Sequence, residues 1–386
     1  GEHVLRNMGW GTWIGGHGLG NSLTADSPER QCEIRSVLRL GCVPGVGTRA
    51  LWRILGRFGS ARRALDASPA KLDAVAGCEC SVALASSVIE RRVRDAMDRS
   101  RALSIKILLW TDRAYPERLT QLADPPPILF TRGRIELLEG PAVTIVGSRR
   151  STAYGRRSAE ALAAQMALRG ITVVSGLALG IDGASHRGAL RASGDTIAVL
   201  GSGVDLIQPA SHRRLGEHIG REGLLLSEFL PGESARAYHF PRRNRILAAL
   251  GGAVVVVEAA EKSGALITVE HALDLGRDVY AVPGALDAPQ SRGCNLLICQ
   301  GAQVITSPEE FGRDLGLVCG SSPEFRPRPA PERTRDLGGA SAIAGAGDKT
   351  TRPGDEWSRG PGDEAGTRSD DDVPAGLDLG GHRLNF

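Results

Sequence analysis

From Ile34 onward the apolar positions recur at helical spacing: Ile34, Val37 and Leu38, then, past a turn, Leu51, Ile54, Leu55 and Phe58. From Ala142 the pattern changes. Short apolar runs rich in β-branched residues cover Ala142 to Val146, Ile171 to Val174, Thr196 to Leu200, Leu224 to Leu226, Ala253 to Val257, Val279 to Val282 and Gln303 to Ile305, separated by helix-length segments. Strands apolar on both faces belong to a parallel sheet covered by helices on both sides, so the pattern predicts an α/β fold with a doubly wound, mostly parallel sheet.

The same pattern divides the chain. Residues 1–28 have no periodicity and read as a flexible leader, 29–109 as a small helical domain, and 110–140 as a connection. In that connection Asp124-Pro125-Pro126-Pro127 leads stiffly into the extended Ile128-Leu129-Phe130. The α/β domain is expected over 141–316, and 317–386 is too poor in aromatic and β-branched residues to offset chain entropy, which predicts a disordered tail.

Between the first two helices, Val43-Pro44-Gly45-Val46-Gly47 runs into Thr48-Arg49-Ala50 and matches the dinucleotide fingerprint G-x-G-x-x-A, with Asp66 downstream. Pro44 and the helical spacing before it argue against the strand that fingerprint needs. A helix–hairpin–helix turn, with glycines exposing backbone N–H groups, fits better and leaves DNA contact and a purely scaffolding role both open.

Composition narrows the function classes. The net charge of +3 is too small to imply nucleic-acid binding, so local clusters must decide. The seven cysteines are scattered without metal-ligand spacing, which points to a reducing compartment and no metal. No stretch has the length of a signal peptide core or a membrane span, so a cytoplasmic protein without membrane contact is expected.

Three strand ends carry glycine turns: Gly147-Ser148-Arg149, Ser175-Gly176 running on to Gly180, and Gly201-Ser202-Gly203. Ligands of a doubly wound sheet sit beyond the carboxyl ends of its strands, and three such turns with Arg149 beside the first predict one anion site. Phe240-Pro241-Arg242-Arg243-Asn244-Arg245 gathers three guanidinium groups and an amide just before an expected apolar helix at Ile246 to Leu250, suited to phosphates and base faces. Lys262, after the most hydrophobic strand, is a further phosphate candidate, and Glu258 reads as a loop-orienting residue.

No Walker pattern is present, and Leu206 stands where the third glycine of a dinucleotide fingerprint would follow Gly201 and Gly203. Neither a nucleoside triphosphate nor NAD is therefore expected as a cofactor. His186, His212, His239 and His271 form no nucleophile motif and read as structural, so no catalytic residue is assigned.

The chain resembles the DNA-processing protein A family (DprA, also called Smf). The stretches that carry the resemblance are TIVGSRRSTAYG from Thr144, SGLALGIDGASHRGAL from Ser175, TIAVLGSGVD from Thr196, LSEFLPG from Leu226, FPRRNRILAAL from Phe240, VVVVEAAEKSGALIT from Val254, GRDVYAVPG from Gly276 and GCNLLICQGA from Gly293, in family order. The resemblance implies an extended Rossmann-like fold, preceded by a helix–hairpin–helix or SAM-like helical domain. It further implies a non-enzymatic protein that binds single-stranded DNA in a basic pocket, forms a homodimer, protects incoming DNA and helps load RecA recombinase in natural transformation. Carried over, the pocket includes Arg149, the turns at Gly176 and Gly201, Arg243, Asn244, Arg245 and, less directly, Lys262. Leu206-Ile207-Gln208-Pro209 lacks the aromatic that members carry before the proline, and the tail does not resemble their C-terminal winged helix. A nucleotide-processing enzyme on a related fold is the competing expectation.

Overall fold

The structure is a computed structural model that describes residues 27–318, all within one compact unit. Apart from their innermost residues, the expected leader and tail lie outside the described residues.

The chain begins with helices α1 (Pro28–Gly41), α2 (Thr48–Phe58), α3 (Ala61–Leu65), α4 (Pro69–Ala76), α5 (Cys80–Leu84) and α6 (Ser87–Ala102). Ser27 caps α1 by accepting from the Arg30 N–H at 3.2 Å, and Gly59, at φ 80°, ends α2 in the left-handed conformation open to glycine. The Val43–Gly47 turn joins two helices with no strand before it, which disposes of the dinucleotide fingerprint.

The sheet follows, with β1 (Lys106–Leu109), β2 (Ile128–Gly133), β3 (Ala142–Gly147), β4 (Thr172–Ser175), β5 (Thr196–Val199), β6 (Leu224–Ser227), β7 (Ala253–Val257), β8 (Asp278–Ala281) and β9 (Gln303–Val304) in the order β1-β2-β6-β5-β4-β3-β7-β8-β9. Helices α7 (Ala153–Ala167), α8 (Ile181–Arg191), α9 (Arg213–Glu222), α10 (His239–Leu250), α11 (Gly264–Asp274), α12 (Arg292–Cys299) and α13 (Pro308–Val318) cover it. Strands β3 to β9 pair in parallel, while β1–β2 and β2–β6 are antiparallel. The fold is thus an extended Rossmann-like sheet with a helical region before it.

Successive side chains of each strand serve opposite faces. On β3, Val143 and Ile145 join the core with α7 and α8, while Ala142 and Val146 join the core with α10 and α11. A third core fuses the helical region to the sheet: Trp52 and Leu55 cluster with Phe130, Ala198 and Leu225. The Trp52 indole donates to the Pro125 carbonyl at 2.7 Å and meets the Trp110 ring edge-on at 5.5 Å.

Two boundaries therefore need correction. The 110–140 stretch is not a mere connection, because it contributes β2 to the sheet, and the sheet begins at Lys106, not 141. The core of the helical region is continuous with one face of the sheet. The proline run that reads as a spacer supplies the carbonyl for Trp52.

As the outermost strand, β1 would offer its free backbone groups to any passing chain. Here they are taken. Arg30 donates to the Ile107 carbonyl at 2.7 Å, the Leu109 N–H donates to Asp112 at 2.9 Å, and Arg30 and Asp112 pair with each other at 2.6 and 3.0 Å. Asp112→Ala strips one acceptor from the edge and removes the carboxylate that meets the largely buried Arg30 guanidinium at 2.6 and 3.0 Å. The expected cost is roughly 3 kcal/mol in urea denaturation, together with concentration-dependent light scattering. Unchanged stability and scattering would mean the plug is dispensable.

Candidate nucleic-acid interface

The three glycine turns meet at the carboxyl ends of β3, β4 and β5. Gly180, at φ 78°, opens α8, and a Cβ there would overlap the Ser148 carbonyl, which accepts from the Ile181 N–H at 3.2 Å. The first turn is pressed against the second in this way. Gly201 lies against the ring of Phe240 from α10, and a Cβ there would come within 3.2 Å of it.

These elements enclose a pocket of about 170 Å³ lined by Arg149, Gly176, Ala178, Leu179, Leu200, Gly201, Ser202, Gln208, Pro209, Ala235 and Phe240. The exposed Arg149 guanidinium lies 4.7 Å from the centre of the Phe240 ring. A cation over an aromatic face, beside backbone stripped of side chains, presents both a phosphate partner and a stacking surface at one place. A cleft of about 980 Å³ lies elsewhere, between the helical region and the β1 edge, but its Arg62, Arg63 and Lys106 are mixed with Glu29, Glu33 and Asp66. The smaller pocket is the better candidate, because it stands where doubly wound sheets bind ligands.

The arginine segment is not where the sequence pattern puts it. Helix α10 starts at His239, so Arg242 to Arg245 lie within it and three of the four residues are buried. Arg243, 4% exposed, donates to the Gly176 carbonyl at 2.8 Å and to the Val199 carbonyl, tying the ends of β4 and β5 together beneath the pocket. A Cβ at Gly176 would overlap its guanidinium. Burial pushes Arg243 down to about 10, with Asp182 opposing the drop, so it stays charged at neutral pH.

Asp182, also buried, accepts from the Gly176 and Ala178 N–H groups at 3.2 and 3.3 Å. Burial raises its carboxyl above the ordinary range, against the pull of Arg243 and those two donors. Arg245 pairs with Glu228 at 2.9 Å and Asp124 at 3.2 Å, and Asn244 donates to the Gly264 carbonyl at 3.1 Å. Arg243, Asn244 and Arg245 therefore build the floor and brace it, which corrects the expectation that they face the ligand. Arg242 is half-exposed but points away from the pocket, donating to Glu228 at 3.0 Å and to Thr48 of the helical turn at 3.0 Å.

Of the remaining expected residues, Gly176, Gly201 and Ser202 line the pocket with Arg149. Ser175 is buried and donates to the Ile145 carbonyl at 2.7 Å, Ser202 spends its hydroxyl on the Leu206 carbonyl at 2.7 Å, and Gly203 turns its N–H to the Glu233 carbonyl at 2.8 Å. Gly147 and Ser148 shape the first turn, the Ser148 N–H donating to the Glu258 carbonyl at 2.7 Å. Lys262 is exposed on the β7–α11 loop, outside the pocket. Phe240, Asp182 and Gln208 were not singled out by the sequence pattern. A lone phenylalanine opening the arginine segment, in a chain with 4% aromatics, was the available signal.

Glu258 holds the start of α7. Its carboxylate accepts from the Thr152 N–H at 2.8 Å and from the Thr152 hydroxyl, which places a negative charge where doubly wound folds seat a nucleotide phosphate. Among the described residues no group of three or more His, Cys, Asp and Glu is placed to hold a metal ion, and no helix is long and apolar enough to cross a membrane.

A match to the DNA recombination-mediator protein A family runs over residues 106–316, more than half of the chain. The chain belongs to this family. Protein Smf of Synechocystis is 38% identical over 288 residues, 72% of this chain and 71% of its own length. DNA processing protein DprA of Streptococcus pneumoniae is 45% identical over 199 residues, 52% of this chain and 70% of its own. The X-ray structure of the pneumococcal DprA superposes with a TM-score of 0.64 at 34% identity, covering 72% of this chain and 96% of that one. DNA processing protein A of Helicobacter pylori, solved for its single-stranded DNA binding mode, superposes with a TM-score of 0.51 at 31% identity over 55% of this chain and 96% of that one.

Three of the four histidines are buried and bonded within the fold. His212 and His239 place Nδ1 3.0 Å from the Leu177 carbonyl and 2.9 Å from the Gly201 carbonyl. His186 is fully buried with Nδ1 2.7 Å from the Thr196 hydroxyl, which itself donates to the Val173 carbonyl, so Nδ1 carries the proton and Nε2 has no partner. Burial pushes His186 down to about 3. The unfolded chain therefore takes up a proton that the fold refuses. The associated stability is complete above pH ~6.5 and is lost as the pH falls from there toward 3, at up to ~1.4 kcal/mol per pH unit. Urea titrations at successive pH values should show His186→Asn with a shallower acid loss than the parent, by about one proton. Parallel profiles would assign the acid sensitivity to other groups.

Proposed function

We propose that this protein binds single-stranded DNA in the pocket between Arg149, Phe240 and the Gly176 and Gly201 turns. The observation that carries the reading is the exposed Arg149 guanidinium lying over the Phe240 ring at the mouth of that pocket. Affinity then comes from phosphate neutralisation by Arg149 and from base stacking on Phe240, with the bare glycine backbone allowing close approach. The single-stranded DNA binding mode of the related Helicobacter pylori protein supports it.

The role is that of a non-enzymatic cytoplasmic mediator, protecting incoming DNA and helping to load RecA recombinase in natural transformation. The family's description as recombination mediators supports this. The protein works as a homodimer, and the exposed Leu286, Leu296 and Val304 on the β8–β9 side supply apolar surface for it. Against a nucleotide-processing enzyme stand two carboxylates already committed to the fold: Asp182 to the Gly176 and Ala178 N–H groups, Glu258 to Thr152.

Fluorescence anisotropy of a labelled oligothymidine tests the pocket. Phe240→Ala is expected to cost about 1–3 kcal/mol of binding, the worth of one base–aromatic stack. Arg149→Ala should weaken binding and reduce the slope of log affinity against log salt by about 0.7. Binding by both variants at the parent's affinity and salt slope would place the DNA elsewhere.

A further inference from the structure

The DNA pocket has a neighbour. Gln208 and Pro209 line both it and a second cavity of about 380 Å³, whose walls include Leu206, Ile207, Ala210, Arg213, Glu217 and Ser234, with Asp205 at its rim. The two cavities also share the next stretch of chain, since Ala235 lines the first and Ser234 the second. The two cavities adjoin across Gln208–Pro209.

Its charge is not what the residue types suggest. Both carboxylates are neutralised from outside: Asp205 accepts from Arg99 of α6 at 3.3 Å and from the Gly232 N–H at 2.9 Å, and Glu217 pairs with Arg132 of β2. Arg213 is exposed and makes no ion pair among the described residues. It is also the first residue of α9, followed by Arg214, with no acidic residue in that first turn. The cavity thus joins an uncompensated positive focus to an aliphatic floor of Leu206 and Ile207 and to amide and hydroxyl groups on Gln208 and Ser234. A phosphate and an unstacked base need this combination.

We infer that this cavity is a second nucleotide subsite, taking the neighbouring nucleotide of the same DNA strand with its phosphate on Arg213 and its base over Leu206 and Ile207. The inference rests on the single-stranded DNA reading of the first pocket and gives the strand its direction of travel, from Arg149 across Gln208–Pro209 toward α9.

The test is oligothymidine anisotropy across a salt series with the full chain and the variants Arg213→Ala, Arg213→Lys and Phe240→Ala, each checked for an unchanged melting temperature. Arg213→Ala should weaken binding about fivefold and lower the salt slope by about 0.7, and Arg213→Lys should restore the slope. Ser234→Phe, which fills the cavity without touching charge, should weaken binding while leaving the slope as it is. If Arg213→Ala and Ser234→Phe both bind like the parent while Phe240→Ala has lost affinity, the strand uses the first pocket alone and the second subsite is overturned. If Phe240→Ala also binds like the parent, the reading of the first pocket falls as well.

Discussion

A charged guanidinium lies sealed under the carboxyl ends of β4 and β5, and the architecture of the binding face follows from accommodating it. Taking Arg243 out of water costs several kcal/mol unless charge and hydrogen bonds replace the solvent. Asp182 supplies the charge, and the Gly176 and Val199 carbonyls supply the acceptors. Position 176 must then lack a side chain, since a Cβ would overlap the guanidinium. The result is a floor made of main chain, held from below by a charge that does not line the pocket.

What lines the pocket is set one layer up. The same helix that drives Arg243 into the floor carries Phe240 one turn earlier at the rim, where Arg149 from the first turn lies across it. Binding surface and support therefore come from one helix start, and the FPRRNR segment divides its labour by helical periodicity: Phe240 to the pocket, Arg243 to the floor, Arg242 to Glu228 and the helical region. Glu258 does for the start of α7 what Asp182 does for the second turn, an internal carboxylate pinning the main chain. The helical region is braced onto this face through Arg242–Thr48 and Arg99–Asp205.

Much of this was legible in the sequence. The seven parallel strands could be read because doubly buried strands announce themselves as β-branched apolar runs. Strands β1 and β2 could not, because an antiparallel edge depends on partners far away in the chain, and Ile128-Leu129-Phe130 carries no mark of pairing with β6. Arg149, Gly176, Gly201 and Ser202, read from turn chemistry at strand ends, line one pocket. The misplacement of Arg243, Asn244 and Arg245 has one cause: the helix was expected to begin at Ile246, and an arginine cluster outside a helix is exposed, whereas the same cluster inside a buried helix is not. Phe240 was passed over because a lone aromatic before a proline looks the same whether it fills a core or faces a ligand.

The proposed DNA path depends most on contact with the Phe240 ring. Photocrosslinking an oligothymidine that carries a single 5-iodouracil, followed by mass spectrometry of the digested adduct, reads that contact directly. The account predicts a dominant adduct at Phe240. Adducts concentrated on the Val43–Gly47 turn of the helical region, with none at Phe240, would contradict it.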